Sequence, residues 1–125
     1  MVVASLVYSI PLVLETASAE SVIKNINIGN TPIGVAFNPS NDYTYATNRD
    51  LGTVSVIDGS TNDVIKDIPV GLQPSAIVFD SHSGNMYVVN QYSKNISVID
   101  SSTNTVVGTI PIGEDRPTAV SLRLP

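Results

Sequence analysis

The oxygen-bearing side chains of Asp58, Ser60 and Asn62 stand at alternate positions, and the same trio returns as Asp100, Ser102 and Asn104. Three oxygen donors at the first, third and fifth positions are how a calcium loop opens. Such a loop also needs Gly at its sixth position and Glu at its twelfth, where Asp63 and Pro69 stand instead. The same side chains bond their own backbone in tight turns, and a structural turn is the reading adopted. His82, in "DSHSGN", falls where the preceding copy of the pattern has Ser40, so the pattern does not need an imidazole there. Tyr43, Tyr45 and Tyr87 read as packing residues. Asn95-Ile96-Ser97 is a formal glycosylation sequon at the mouth of a predicted strand. The 125 residues include no Cys and one His, which excludes a thiolate zinc site, a Cys nucleophile and a disulfide framework from this chain. The expectation is no catalytic residue, no metal and no cofactor.

Composition narrows the partners. Hydrophobic residues make up 42% of the chain and charged ones 14%, the balance of a folded protein. Six Lys and Arg against eleven Asp and Glu give a net charge of -5, which repels a polyanion and argues against nucleic acid.

Residues 1–19 differ from the rest. "MVVASLVYSIPLVL" carries no charge, and "ETASAE" puts Ala17 and Ala19 at the -3 and -1 positions of a cut before Glu20. This reads as a secretory signal peptide, although the first basic residue is Lys24. The run is shorter than the ~20 apolar residues of a membrane-spanning helix and Pro11 interrupts it, so no stable span is expected. The expected location is extracellular or at the cell surface.

From Ser21 onward the chain repeats. "SVIDGSTNDVIKDIPVG" (55–71) and "SVIDSSTNTVVGTIPIG" (97–113) agree at eleven of seventeen positions, 42 residues apart. Gly29, Gly71 and Gly113 keep that spacing, and Phe37 matches Phe79, Tyr45 matches Tyr87 and Asn48 matches Asn90. A period in the forties fits a four-stranded propeller blade or a helical armadillo-type unit. Within each unit the apolar residues alternate in short bursts rich in Val, Ile, Thr and Tyr, bounded by Asn, Asp, Gly, Ser and Pro, which is strand patterning. The pattern predicts strands over 33–37, 42–48, 53–58 and 63–70 in an antiparallel meander, repeated over the second unit. Pro69 and Pro111 cannot donate to a ladder, which puts the fourth strand at the sheet edge. Alternation there assigns Val64, Ile68 and Val70 to one face and Ile65 with Pro69 to the other.

The stretch "PIGVAFNPSNDYTYATNRDLGTVSVIDGSTNDVIKDIPVG" resembles the YVTN-type β-propeller repeat of secreted and cell-surface proteins of archaea and bacteria, with the naming motif present as "YATN" (45–48) and "YVVN" (87–90). The resemblance spans about Val22 to Leu122 and implies an all-β fold of consecutive four-stranded antiparallel blades, often in surface-layer or binding proteins, with no shared catalytic residues. Units of about 32–71 and 74–113 are complete; 22–29 reads as a lone fourth strand and 117–124 as a lone first strand. Propellers usually close with 4 to 8 blades, so the expectation for 20–125 is an open, partial propeller, a fragment of a larger ring or a unit assembling with other blades or copies of itself. Val64, Ile68, Ile110 and Ile112 are then expected to be partly exposed.

The turn between third and fourth strands is nearly constant, "GSTN" and "SSTN", whereas the second-to-third turns and the unit-joining turns diverge. Those divergent turns share one face of a propeller, which makes Arg49, Asp50, Gln91, Tyr92, Lys94, Asp115 and Arg116 the candidate recognition surface. The functional expectation is a secreted or cell-surface scaffold, not an enzyme, binding a protein or glycan. The alternative is part of a cofactor-holding or enzymatic propeller of the quinoprotein or haem-associated sort, its site residues lying outside this chain.

Overall fold

The computed structural model describes residues 20–113. The predicted signal peptide, the 117–124 strand, Asp115 and Arg116 therefore lie outside the described residues. Eight strands follow in order: β1 (Pro32–Asn38), β2 (Tyr43–Asn48), β3 (Thr53–Asp58), β4 (Asp63–Pro69), β5 (Pro74–Asp80), β6 (Asn85–Asn90), β7 (Asn95–Asp100) and β8 (Thr105–Pro111). They form two four-stranded antiparallel meanders, β1-β2-β3-β4 and β5-β6-β7-β8, in an open arrangement. These are the two expected blades, with the proline-bearing strands β4 and β8 at the sheet edges.

One turn geometry makes all six hairpins. In each, a backbone N–H bonds the carbonyl four residues back, from Asp42, Gly52, Asn62, Gly84, Lys94 and Asn104. Each of those six donors sits at φ between 55° and 80°. Gly adopts this left-handed conformation freely, and Asn and Asp do so at small cost. Lys94 is the exception, and Gly52 holds its place in the first blade.

The core lies between the blades. Tyr45, Val54, Val56 and Ile68 on the trailing face of the first blade meet Met86, Val88 and Ile99 on the leading face of the second, flanked by Ile77 and Phe79. Phe37 and Phe79 occupy equivalent register positions, opposite Thr44 and Met86.

Three expectations need correction. Ile68 is 2% exposed, because the second blade covers the trailing face of the first. Val64 does not share a face with Ile68: a bulge at Ile65 leaves Val64 opposite Ile57 and Ile68 opposite Val54, and the extra residue reverses the alternation. Residues 22–29 form no strand, since among the described residues no third strand stands beside them to complete a ladder. The segment instead lies against the leading face of the first blade, with the Ile28 carbonyl 3.3 Å from the Ser55 hydroxyl and the Lys24 ammonium 3.0 Å from Asp63.

Candidate functional site

The repeated asparagine of "YATN" and "YVVN" has a structural task. Asn90 is fully buried at the end of β6, where its amide donates to Asn95 Oδ1 and Ser97 Oγ, each at 2.9 Å, and so ties β6 to β7. Asn48 does the same with Thr53 and Ser55. Gly71, just beyond the last strand of the first blade, lies so close to Asn90 that a Cβ there would be 2.7 Å from its side chain. Gly29 presses on Asn48 equally closely, a Cβ there falling 2.9 Å from Oδ1. Each asparagine is a latch: it pins one hairpin and seats the glycine that ends the preceding unit. The sequon residue Asn95 is engaged in this latch.

The innermost strands touch as well. Thr47 Oγ1 accepts from the Gly34 N–H at 2.8 Å and donates to the Ser75 carbonyl at 3.0 Å, bridging the blades. At the opposite end, Asn38 donates to Ser101 at 2.9 Å and the Tyr45 hydroxyl to Asn104 Oδ1 at 2.6 Å. Burial raises the Tyr45 pKa above its ordinary value, which keeps the phenol a donor. Tyr43 packs against the interblade core, while Tyr87 is half-buried on the trailing face of the second blade.

The aspartates that open the turns serve those turns. Asp58 Oδ1 accepts from the hydroxyl and N–H of Ser60, and Asp100 repeats this with Ser102. Asp80 accepts from Ser83 and from the His82 N–H, so His82 contributes backbone to this turn. These bonds, the serine hydroxyl first, hold all three carboxylates below their ordinary pKa of 3.8. A depressed folded-state pKa stabilises the fold above the unfolded value, and that contribution is lost as pH falls through the folded value. The melting temperature is therefore expected to be flat near neutrality and to fall below about pH 4. In the double variant Asp58→Asn, Asp100→Asn, thermal melts across pH should start lower at pH 7 and show a shallower acid limb.

The divergent turns gather on one face, as expected from their places in the meander. The N–H of Arg49 bonds the Thr31 carbonyl at 2.9 Å and that of Gln91 the Gln73 carbonyl at 3.0 Å, fastening each second-to-third turn to a unit-joining turn. Between the blades these turns enclose a groove of about 330 Å³ lined by Arg49, Asp50, Leu51, Gly52, Leu72, Gln73 and Tyr92. Asp50 Oδ2 accepts from Thr31 Oγ1 at 2.5 Å, which fixes the carboxylate at the rim. Leu51, Leu72 and Tyr92 are 58%, 57% and 57% exposed. Three of the predicted residues thus share one groove. Gln91 and Lys94 stand in the same turn as Tyr92, outside its lining. The two leucines were missed by sequence reasoning, although an apolar residue inside each of the turns "RDLG" and "GLQP" was the available signal.

A second cleft of about 600 Å³ opens on the other face, between the hydroxyl- and amide-rich turns around Asn41, Ser81 and Ser102, with Tyr43 and Phe79 in its wall. Of its polar lining, Asn38 and Ser101 are bonded to each other across the blades, and Ser83, Asp100 and Ser102 take part in bonds within their own turns.

Two meanders packed face to face through their flanks, with innermost strands in contact and edge strands outermost, define this as a protein of the β-propeller class, present as two adjacent blades. Solved structures agree. Hydrazine synthase of Kuenenia stuttgartiensis is similar over 82% of this chain and 30% of its own, with a TM-score of 0.76 and 27% sequence identity. Apo AztD from Citrobacter koseri matches over 70% of this chain and 25% of its own, at TM-score 0.61 and 18% identity. Dihydro-heme d1 dehydrogenase NirN, in complex with DHE, matches over 65% and 17%, at TM-score 0.58 and 23% identity. The chain thus spans less than a third of each of these structures. No protein-family model matches the chain, and no curated protein matches it.

Proposed function

We propose that the chain is a YVTN-type β-propeller segment of an exported, cell-surface protein, and that it binds a protein or glycan partner through the groove between its divergent turns. The observation that carries this reading is the groove itself. It sets the exposed Tyr92, Leu51 and Leu72 beside Arg49 and Asp50 on rigid hairpins, the mixture of aromatic, apolar and Arg side chains that anchors interfaces. Lys94 supports it. A non-Gly residue at φ 57° is strained, where Gly52 fills the same place at no cost, and such strain is concentrated at functional positions. Export is supported by the apolar, signal-like residues 1–19.

Lys94→Gly is expected to stabilise the fold by about 1 kcal/mol in chemical denaturation, by relieving the left-handed lysine. It should weaken binding if the ammonium faces the partner. For the groove, the test is an array of cell-surface glycans and purified envelope proteins probed with the wild type and with Tyr92→Ala and Leu72→Ser. Loss of binding by roughly 30-fold in Tyr92→Ala, with the melt unchanged, is the expected result. Absence of any binder, or binding indifferent to both substitutions, overturns the reading.

A further inference from the structure

We propose that the cleft on the face opposite the loop groove, between Tyr43 of the first blade and Phe79 and Asn85 of the second, is a binding site for a neutral sugar. It lies between the two described blades and shares no lining residue with the groove of Leu72 and Tyr92, so the inference does not rest on ligand binding there.

The repeat shows what is particular to this place. In the 42-residue register, Ser81 stands where the first blade has Pro39, Asn85 where it has Tyr43, and Ser101 where it has Gly59. All three line the cleft, and each exchange brings in a hydroxyl or an amide in place of a ring or a bare glycine. The fold uses only one of them. Ser101 Oγ accepts from Asn38 at 2.9 Å and donates to the Gly84 carbonyl. The Ser81 hydroxyl and the Asn85 amide make no hydrogen bond with any described residue, and neither does the phenol of Tyr43. Asn85 is nonetheless held in place, paired with Asp80 on one side and Asp100 on the other at the start of β6. Between them these three side chains offer amide and hydroxyl donors and acceptors that no turn requires.

The wall beside them is aromatic. Tyr43 and Phe79 both pack against the interblade core and both remain partly exposed in the cleft. A ring anchored in this way presents a fixed apolar surface on which the C–H side of a pyranose can stack, while the sugar hydroxyls reach the unspent polar groups. The volume of about 600 Å³ falls within the roughly 300–1,000 Å³ of small-molecule sites. Charge selects the kind of sugar. Asp100 is the charged residue of the lining, no Lys or Arg lines it, and the chain as a whole carries a net charge of -5. A carboxylate accepts hydrogen bonds from sugar hydroxyls and repels a uronic acid or a phosphate.

Backbone-amide NMR of the isotope-labelled full chain is the test. The probes are the methyl glycosides of glucose, galactose, mannose and N-acetylglucosamine, with glucuronic acid and a blocked, uncharged glycine-serine peptide as comparisons. At least one neutral glycoside should shift the amides of Ser81, Gly84, Asn85 and Ser102 to saturation, with a Kd on the order of 1 mM for so small a ligand. Glucuronic acid should bind about tenfold more weakly near neutral pH. Asn85→Ala and Ser81→Ala should each weaken binding about tenfold and leave the melt unchanged, because neither side chain is bonded within the fold. Should Asn85→Ala melt lower, Ser81→Ala, at an exposed turn position, decides. Tyr92→Ala should bind the sugar as wild type does. The site is overturned if no neutral glycoside shifts these amides, if glucuronic acid or the peptide shifts them as strongly, or if the alanine variants bind like wild type. Shifts confined to the amides of Arg49 and Leu72 overturn it too, and leave the loop groove as the binding surface.

Discussion

Gly34→Ala should destabilise the protein by about 3 kcal/mol, near the top of the range for overpacking, and lower its melting temperature by roughly 10–20 °C. A Cβ at this position would lie 2.4 Å from the Ser75 carbonyl oxygen, a backbone atom of the neighbouring blade's innermost strand. No rotamer relieves that contact, so β1 and β5 must move apart. Moving them strains the Thr47 bridge, which joins the Gly34 N–H to the Ser75 carbonyl. The prediction is sharp because the repeat itself argues against it. Position 76, the counterpart of Gly34 in the second unit, is alanine. By sequence equivalence the substitution merely copies one blade into the other and should be harmless. A thermal melt of Gly34→Ala within about 2 °C of wild type would show that the strands are not as close as described.

Asn90→Asp should be the most damaging single-atom exchange in the chain, and its effect should depend on pH. Asn90 is fully buried, and its amide donates to Asn95 Oδ1 and Ser97 Oγ. Its own Oδ1 has no hydrogen-bond partner among the described residues. Replacing the amide with a carboxylate removes a donor, sets oxygen against the Asn95 oxygen, and buries a charge with no cation in the latch. Loss of about 3–5 kcal/mol at pH 7 is expected. Burial disfavours the charged form and raises the pKa of the introduced carboxyl above the ordinary value of ~3.9. With the folded pKa raised, the folded state binds the proton more tightly than the unfolded state does. The penalty is therefore small below about pH 4 and grows as pH rises towards the folded value. Asn90→Ala separates the two effects, since it loses the same bonds and carries no charge. Its cost, about 2 kcal/mol, should not vary between pH 4 and 7. Urea denaturation of both variants across that range is the measurement, and parallel pH profiles would refute the buried-charge account.

The same positions show how much the sequence carried. Alternation in "YTYATN" and "TVSVID", the proline in each fourth strand and the 42-residue register were enough for eight strands in two meanders, with edges in the right places. The Asp-x-Ser pattern was enough to expect tight turns, and Asp58 and Asp100 are bonded within their turns. The divergent turns were legible as one face, though Leu51 and Leu72 were not recognised as part of its groove. These features are local. Alternation, the fixed φ of proline and side chains that bond backbone two residues away act over distances of a few residues, and each leaves its mark on composition and spacing.

What only the tertiary structure decided acts between residues distant in the chain, as where Gly71 meets Asn90 and Gly34 meets Ser75. It is why Ile68 is buried and Ile110, its near-copy, is not: one has a blade in front of it. It is why Gly34 must be glycine while Ala76 stands in the same place of the next unit. It is why the asparagine of "YATN" is a latch under a glycine of the preceding unit, and why 22–29, with a fourth strand's sequence, lies as an arm without a ladder. Even within a strand, the bulge at Ile65 reversed the face of Val64, because an extra residue in a ladder is set by the pairing partner as well as by the strand's own pattern. A repeat specifies each blade to itself, and identical sequence then meets different surroundings according to what stands beside it.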